Sequence, residues 1–317
     1  MKLKDFYDSA VAEGIRHDPR GEKGVKDFLL SVKKEYDGLD PAGKEDFDMD
    51  RLFNPYGDTR ILFGEHVHEI KNILAGIDME TQEIMFAEML RGKGKGIDMV
   101  LSHHPEGPAL SALHKVMDIQ LDLLEDAGVS RKKAKKLLDE RIEEVSRRTH
   151  PANVMRAVDA AALLGIPFMC AHTVADNCVS EYLQKLISKN RPKTVQDIVD
   201  LISEEPEYKY AIKTGTGPRV ILGKLSNPCG KVIVEMTGGT GGSKKIFPEL
   251  VKADVKTIIS MHMSEDNFKK AKKHKLNILI AGHISSDSLG LNILLDSITR
   301  GQEMEITPCS GFIRVKR

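Results

Sequence analysis

Apolar positions along this chain follow two rhythms. Between residues 21 and 38 they fall every three or four places, at Val25, Phe28, Leu29 and Val32, and Gly38 is placed to end the helix that this spacing predicts. The turn-rich "NPYGDTR" at 54–60 marks a passage into a new unit. Beyond it, short apolar runs alternate with charged stretches at helical spacing. "VHEIKNILAGID" reads as a strand or short helix, "METQEIMFAEMLRGKG" as a helix and "GIDMVLSHH" as a strand. Residues 107–148 read as a long charged helical stretch broken near Gly128, its charges forming a solvated face. "HPANVMRAVDAAALLG" predicts a helix with Pro151 in its first turn and Gly165 at its end, and "IPFMCAH" a further strand.

After residue 205 the pattern reads β-rich, through "YAIKTGTGPRVILGKL", "KVIVEMTGG", "TIISMH", "LNILIAGH" and "GFIRVKR", with helical patterns at 243–252 and 265–274. Strands alternating with helices predict an α/β fold with mixed, largely parallel sheets. No sequence repeat is exact, but the motifs recur as two related halves would. The expected division is a helical N-terminal extension over 1–55, a first α/β domain over 56–205 and a second over 206–317.

Composition changes this picture little. Hydrophobic residues make up 41% and charged residues 30% of 317, the balance of a soluble globular chain. Forty-seven basic residues meet forty-seven acidic ones, which argues against bulk nucleic acid or an anionic membrane surface as partner. No run approaches the roughly 18 apolar residues of a membrane span. Cys170, Cys178, Cys229 and Cys309 form no CxxC pair, and the N-terminus lacks an apolar signal core, so a reduced cytoplasmic protein is expected.

The chemistry gathers at strand ends. "IDMVLS" ends at His103 and His104, "IPFMCA" at His172 and "NILIAG" at His283. In open parallel sheets, ligands bind beyond the carboxyl ends of the strands, where loops converge. Asp176 follows His172 by four residues, and Asp287 follows His283 by four, so each pair shares a helix face if helices begin there. Imidazole with carboxylate suits Zn, Fe, Mn or Ni. Six donors exceed the roughly three protein ligands that one catalytic zinc takes. They suit two divalent ions about 3.5–4 Å apart, the adjacent histidines serving one ion each. Pro105 disfavours helical backbone at His104 and keeps that pair splayed.

Any one histidine at a strand end is an ordinary polar residue; the coincidence of four with two aspartates carries the metal reading. His262, after "TIISM", is expected to line the same cleft. His66 and His68 alternate on one face of an expected strand without a second cluster, and His17, His114, His150 and His274 lie in charged or turn contexts, so all six read as ordinary. The glycine-rich 214–219 and 237–245, the latter with Lys244 and Lys245, could cradle phosphate or simply form turns that need positive φ.

"SHHP", "AHTVAD" and "GHISSD", in that order, resemble the signature of the "NGG-one interacting factor three" family, whose members are often labelled GTP cyclohydrolase I type 2 homologues. The resemblance covers roughly 60–317. It implies two similar α/β domains with a dinuclear metal cleft between them, and a ring-shaped homo-hexamer. It also implies His103, His104, Asp176 and His283 as ligands, with Asp176 as the bridge. Asp287 stands where the family has Glu, one methylene longer. His172 matches a family histidine beside the metals, in a supporting or proton-relaying role.

The reaction class that follows is metal-dependent hydrolysis of a small-molecule phosphoester, nucleotide, cyclic amide or amidine, with His172 or His262 moving the proton. Two other classes stay open: a regulatory metal-binding protein, and a scaffold whose oligomeric ring is its function.

Overall fold

A computed structural model describes residues 1–317. Nine strands form two sheets. The first contains β1 (Thr59–Phe63), β2 (Asn72–Gly76), β3 (Met99–Ser102), β4 (Phe168–Ala171) and β9 (Glu305–Cys309), in the order β1-β4-β3-β2-β9. The second contains β5 (Arg219–Leu222), β6 (Lys231–Glu235), β7 (Val255–Ser260) and β8 (Asn277–Ile280), in the order β5-β8-β7-β6. In each sheet the first strand in sequence runs antiparallel to the fourth, and the rest pair in parallel. The antiparallel pair carries an irregularity in each, at Ile61/Phe63 in one and Val220/Leu222 in the other. The two halves repeat one topology.

Period-2 alternation sorts neighbouring residues to opposite faces of each sheet. In β2, Ile73 and Ala75 join the core between the sheets while Leu74 joins the outer one; Met99, Val100 and Leu101 of β3 divide the same way. In the second sheet Ile258 and Ile278 face outward, and Ile259 and Leu279 inward. Two helices, Thr173–Asn190 and His283–Ile298, fill the middle layer. Val174 and Leu291 pack toward the first sheet, Val179 and Leu289 toward the second. Helices Thr81–Gly92 and Arg156–Leu164 cover the first sheet's outer face, and Arg131–Thr149 lies over the second. Each fully buried Leu or Ile contributes about 1.5–3 kcal/mol, so both middle helices are held from two sides.

The two middle helices touch closely. A methyl at Gly290 would come within 2.4 Å of the Ala175 carbonyl oxygen, so glycine is required for this approach. Helix His283–Ile298 starts at Gly282, whose φ of +119 and crowding by Ser285 Oγ and the Thr216 carbonyl likewise leave no room for a side chain.

Several expectations are corrected. Helix Leu3–Arg16, inside the segment expected as an extension, buries Leu3, Phe6, Tyr7, Ala10 and Val11 in the first sheet's core. Strand β9 returns from the end of the chain to pair with β2. "GFIRVKR" is not a strand: its backbone is captured by Ser288 and Asn292, and the strand lies one segment earlier. "YAIK" closes the helix Pro206–Lys213, because Pro206 starts a turn that buries Tyr208 and Ala211 three residues apart. The helix expected from Pro151 begins at Arg156. The stretch at 107–148 divides into four pieces, the last capped by the Ser130 hydroxyl after Gly128 turns at φ +91. His66 and His68 sit in a turn that hydrogen-bonds the start of the first helix, not in a strand.

Candidate metal centre

The first donors are set by the end of β3. His103 and His104 donate their backbone N–H groups to the Gly76 and Ile77 carbonyls at 2.8 and 2.9 Å, extending the β2–β3 ladder past its last paired residues. The Ser102 hydroxyl donates to the His104 carbonyl at 2.7 Å. His172 caps helix Thr173–Asn190 and places Asp176 in its first turn; His283 is the first residue of its helix and places Asp287 one turn on.

Three imidazoles have their Nδ1 engaged away from the centre. The Nδ1 of His103 meets the Ala171 carbonyl at 3.2 Å, that of His104 meets Asp78 Oδ1 at 2.6 Å, and that of His172 meets Asp58 Oδ2 at 2.8 Å. A carbonyl or carboxylate accepts, so each Nδ1 carries a proton and each Nε2 faces the carboxylates of the centre. The His103 and His104 rings lie 5.3 Å apart, His103 and His172 5.0 Å, and His104 and His283 5.1 Å.

The carboxylates complete the centre. Asp287 turns Oδ1 toward His103 Nε2 at 3.5 Å and Oδ2 toward His104 and His283 Nε2 at 3.4 and 3.6 Å. Asp176 turns Oδ1 toward His103 at 3.4 Å and Oδ2 toward His172 at 3.7 Å. These separations exceed hydrogen bonds. Accordingly His103 Nε2, Asp176 Oδ1 and both Asp287 oxygens are buried without a hydrogen-bond partner. A buried polar atom without a partner costs about 1–3 kcal/mol, and four around one gap fit a cation held between them. Donor atoms fall within 4.8 Å of one another in three overlapping groups that could hold metal: His103, His104 and His172; His104, His283 and Asp287; His103, Asp176 and Asp287.

The electrostatics agree. Burial opposes charge on His103, yet the facing Asp287 and Asp176 override it and push the imidazole up to about 10. His104 is likewise pushed up to about 9 by Asp287 and Asp78 against its burial. Burial would raise Asp287, but the surrounding histidines hold it well below the usual carboxylate range. Two carboxylates this enclosed demand positive charge, from protons or from metal.

His262 also reaches this place. Its ring stands 4.9 Å from that of His283, on a cleft of about 50 Å3 that His172 and Asp176 line as well. It follows β7 as His104 follows β3, and the Ser260 hydroxyl donates to its carbonyl at 3.0 Å as Ser102 does to that of His104. His262 is the second half's counterpart of His104. The loop at 237–243 borders the cleft with Gly238 and Gly239 at φ of +89 and +79, so its glycines serve turns. Lys244 pairs with Asp266 and Lys245 with Glu140, and neither lysine lines the cleft.

Two residues at the centre went unread in the sequence. Asp58 is fully buried, and also accepts from the Thr173 hydroxyl at 2.6 Å. Asp78 ends the β2 segment as the histidines end theirs, a signal that was available at the same sheet edge; Asp58, in a turn 114 residues from its histidine, offered none.

The chain has the fold of the NIF3 superfamily protein from Sphaerobacter thermophilus, with 24% identity, a TM-score of 0.70, and coverage of 80% of this chain and 91% of that one. It is also similar to reduced HcgD from Methanocaldococcus jannaschii (15% identity, 78% and 87% covered, TM-score 0.48) and to a Bacillus cereus protein related to NIF3 (12% identity, 81% and 92% covered, TM-score 0.39). No family model and no curated protein matches the sequence. The fold expected from the motifs is the fold observed.

Proposed function

We propose that this protein is a dinuclear metal-dependent hydrolase of the NIF3 kind, acting on a small phosphoester, nucleotide, cyclic amide or amidine. The observation that carries the reading is the set of four buried, partnerless donor atoms facing one gap. His103, Asp176 and Asp287, with His172 beside them, would hold one ion, and His104, His283 and Asp287 the other. Asp287 is then the bridge, a role the family resemblance gives to Asp176. Four imidazoles among six donors favour Zn, Fe, Mn or Ni over Mg or Ca. When bound, such a pair supplies Lewis acidity and a lowered pKa for water.

The remaining roles belong to the chain. Asp58 and Asp78 hold His172 and His104 with Nε2 turned inward. His262, the counterpart of His104 with no carboxylate bonded to its ring, stays free at the rim to take and return a proton. Exposed Met85, Phe86, Met89 and Leu163, on the outer helices of the first sheet, support a homo-oligomer, for which the family resemblance suggests a hexamer. Four unpaired cysteines agree with a cytoplasmic setting. No helix is long and apolar enough to cross a membrane.

The test is elemental analysis of tag-free protein, followed by assay against phosphoesters and nucleotides. About two ions per chain, fewer in Asp287→Ala, and turnover that His262→Ala lowers without loss of metal is the expected outcome. A folded protein that binds no added Zn, Mn or Fe would overturn the metal reading. A filled site without turnover on any substrate would leave a binding protein instead of a hydrolase.

A further inference from the structure

Beside the metal centre, across the 237–243 loop, lies a second cavity of about 530 Å3. Small-molecule sites span roughly 300–1,000 Å3. Its walls come from β6, the helices Ile119–Asp126, Arg131–Thr149 and Thr173–Asn190, and the turn after the first helix. Leu123, Leu137, Val234 and Ile246 give it an apolar lining.

The polar groups in this cavity accept more than they donate. Gln120 spends its amide N–H groups on the carbonyls of Gly238 and Thr240 at 2.9 and 2.6 Å, which leaves Oε1 as its open end. Glu235 lines both this cavity and the cleft of the metal centre. No cationic side chain pairs with its carboxylate, which meets the Gly242 N–H, and burial pushes the group up. Four lining residues are acidic, Asp18, Asp126, Glu181 and Glu235, against Lys231 as the one lysine or arginine. Asp18 is already paired with Arg20, and Glu181 with His17 and Lys185. Lys231 is turned onto the Ala127 carbonyl at 2.7 Å. Glu235 is the innermost of the acids without a cationic partner; burial favours its neutral form, and a cation beside it would favour the carboxylate.

We propose that this cavity binds a small amphipathic cation, its apolar body on the leucine, valine and isoleucine lining and its ammonium or amidinium head on Glu235 and Gln120 Oε1. The site uses none of the metal donors, although Glu235 borders their cleft. Isothermal titration calorimetry on the full chain, chelator-treated and metal-loaded, tests it with 4-phenylbutylamine, its neutral alcohol 4-phenylbutanol and its acid 4-phenylbutyrate. The amine is expected to bind at least about ten-fold tighter than the other two, the scale of one charge-assisted hydrogen bond. Glu235→Gln should abolish that preference while leaving the alcohol within about two-fold, because the isosteric amide keeps the shape but not the charge. Leu123→Trp, which fills the cavity from a half-buried wall, should weaken both the amine and the alcohol. Absence of amine binding, equal affinity for all three, or an amine preference that survives Glu235→Gln would overturn the proposal. So would binding that Leu123→Trp leaves unchanged while circular dichroism shows both variants folded.

Discussion

At the scale of single residues, the centre is organised by what the histidines do with the nitrogen that faces away. Asp58 has no charged partner except His172 and gives the ring its tautomer and direction. Asp58→Asn should therefore lower metal affinity about 10–100-fold, the usual effect of losing such a partner, while the fold persists. Competition against a chelator of known affinity measures this, and an unchanged affinity would mean that His172 stands outside the ligand set. The donors themselves were readable from sequence, because an apolar run ending in histidine, with aspartate four residues on, shows periodicity and chemistry in one segment. Asp58 was not, since its role exists only where β1 lies antiparallel to β4.

At the scale of elements, the candidate metal centre depends on a helix–helix contact. Asp176 and Asp287 sit on the two middle helices, and Gly290 against Ala175 lets those helices approach. Gly290→Ala should cost about 1–3 kcal/mol by overpacking and should also weaken metal binding, since it separates the two carboxylates. Denaturant midpoints and metal titration together test the coupling; loss of stability with unchanged metal affinity would break it. The first helix is a second case. The sequence places it in an N-terminal extension, yet Phe6 is fully buried against the first sheet. Phe6→Ala is expected to cost about 3–5 kcal/mol in urea unfolding, where an appendage would cost almost nothing.

At the scale of the molecule, the donors come from both halves: His103, His104, His172 and Asp176 from the first topological repeat, His283 and Asp287 from the second. An ion bound there ties the repeats together and stabilises the folded state by mass action. At about a thousand-fold excess of metal over its Kd this amounts to about 4 kcal/mol, so chelation should lower the melting temperature by about 6 °C. Calorimetry with and without chelator reads the difference, and a melting temperature indifferent to metal would place the ions outside the native site. The repeat also accounts for the mixed sheets, as each half opens with one antiparallel strand and continues in parallel.

What the sequence determined by itself was local. Strands ending in histidine, an aspartate four residues after His172 and after His283, and the metal-suited donor set all follow from residue type and spacing within a dozen positions. Only the tertiary structure decided the rest: that the first helix belongs to the core, that β9 returns to the first sheet, and that "GFIRVKR" gives its hydrogen bonds to a helix. It also decided that Asp287 stands between both donor groups, and that a cavity with Glu235 on its wall opens beside them. The physical reason is that each of these depends on which partner meets a side chain or backbone group across tens to hundreds of residues. A chain read in order carries no record of that until close packing of the two halves selects it.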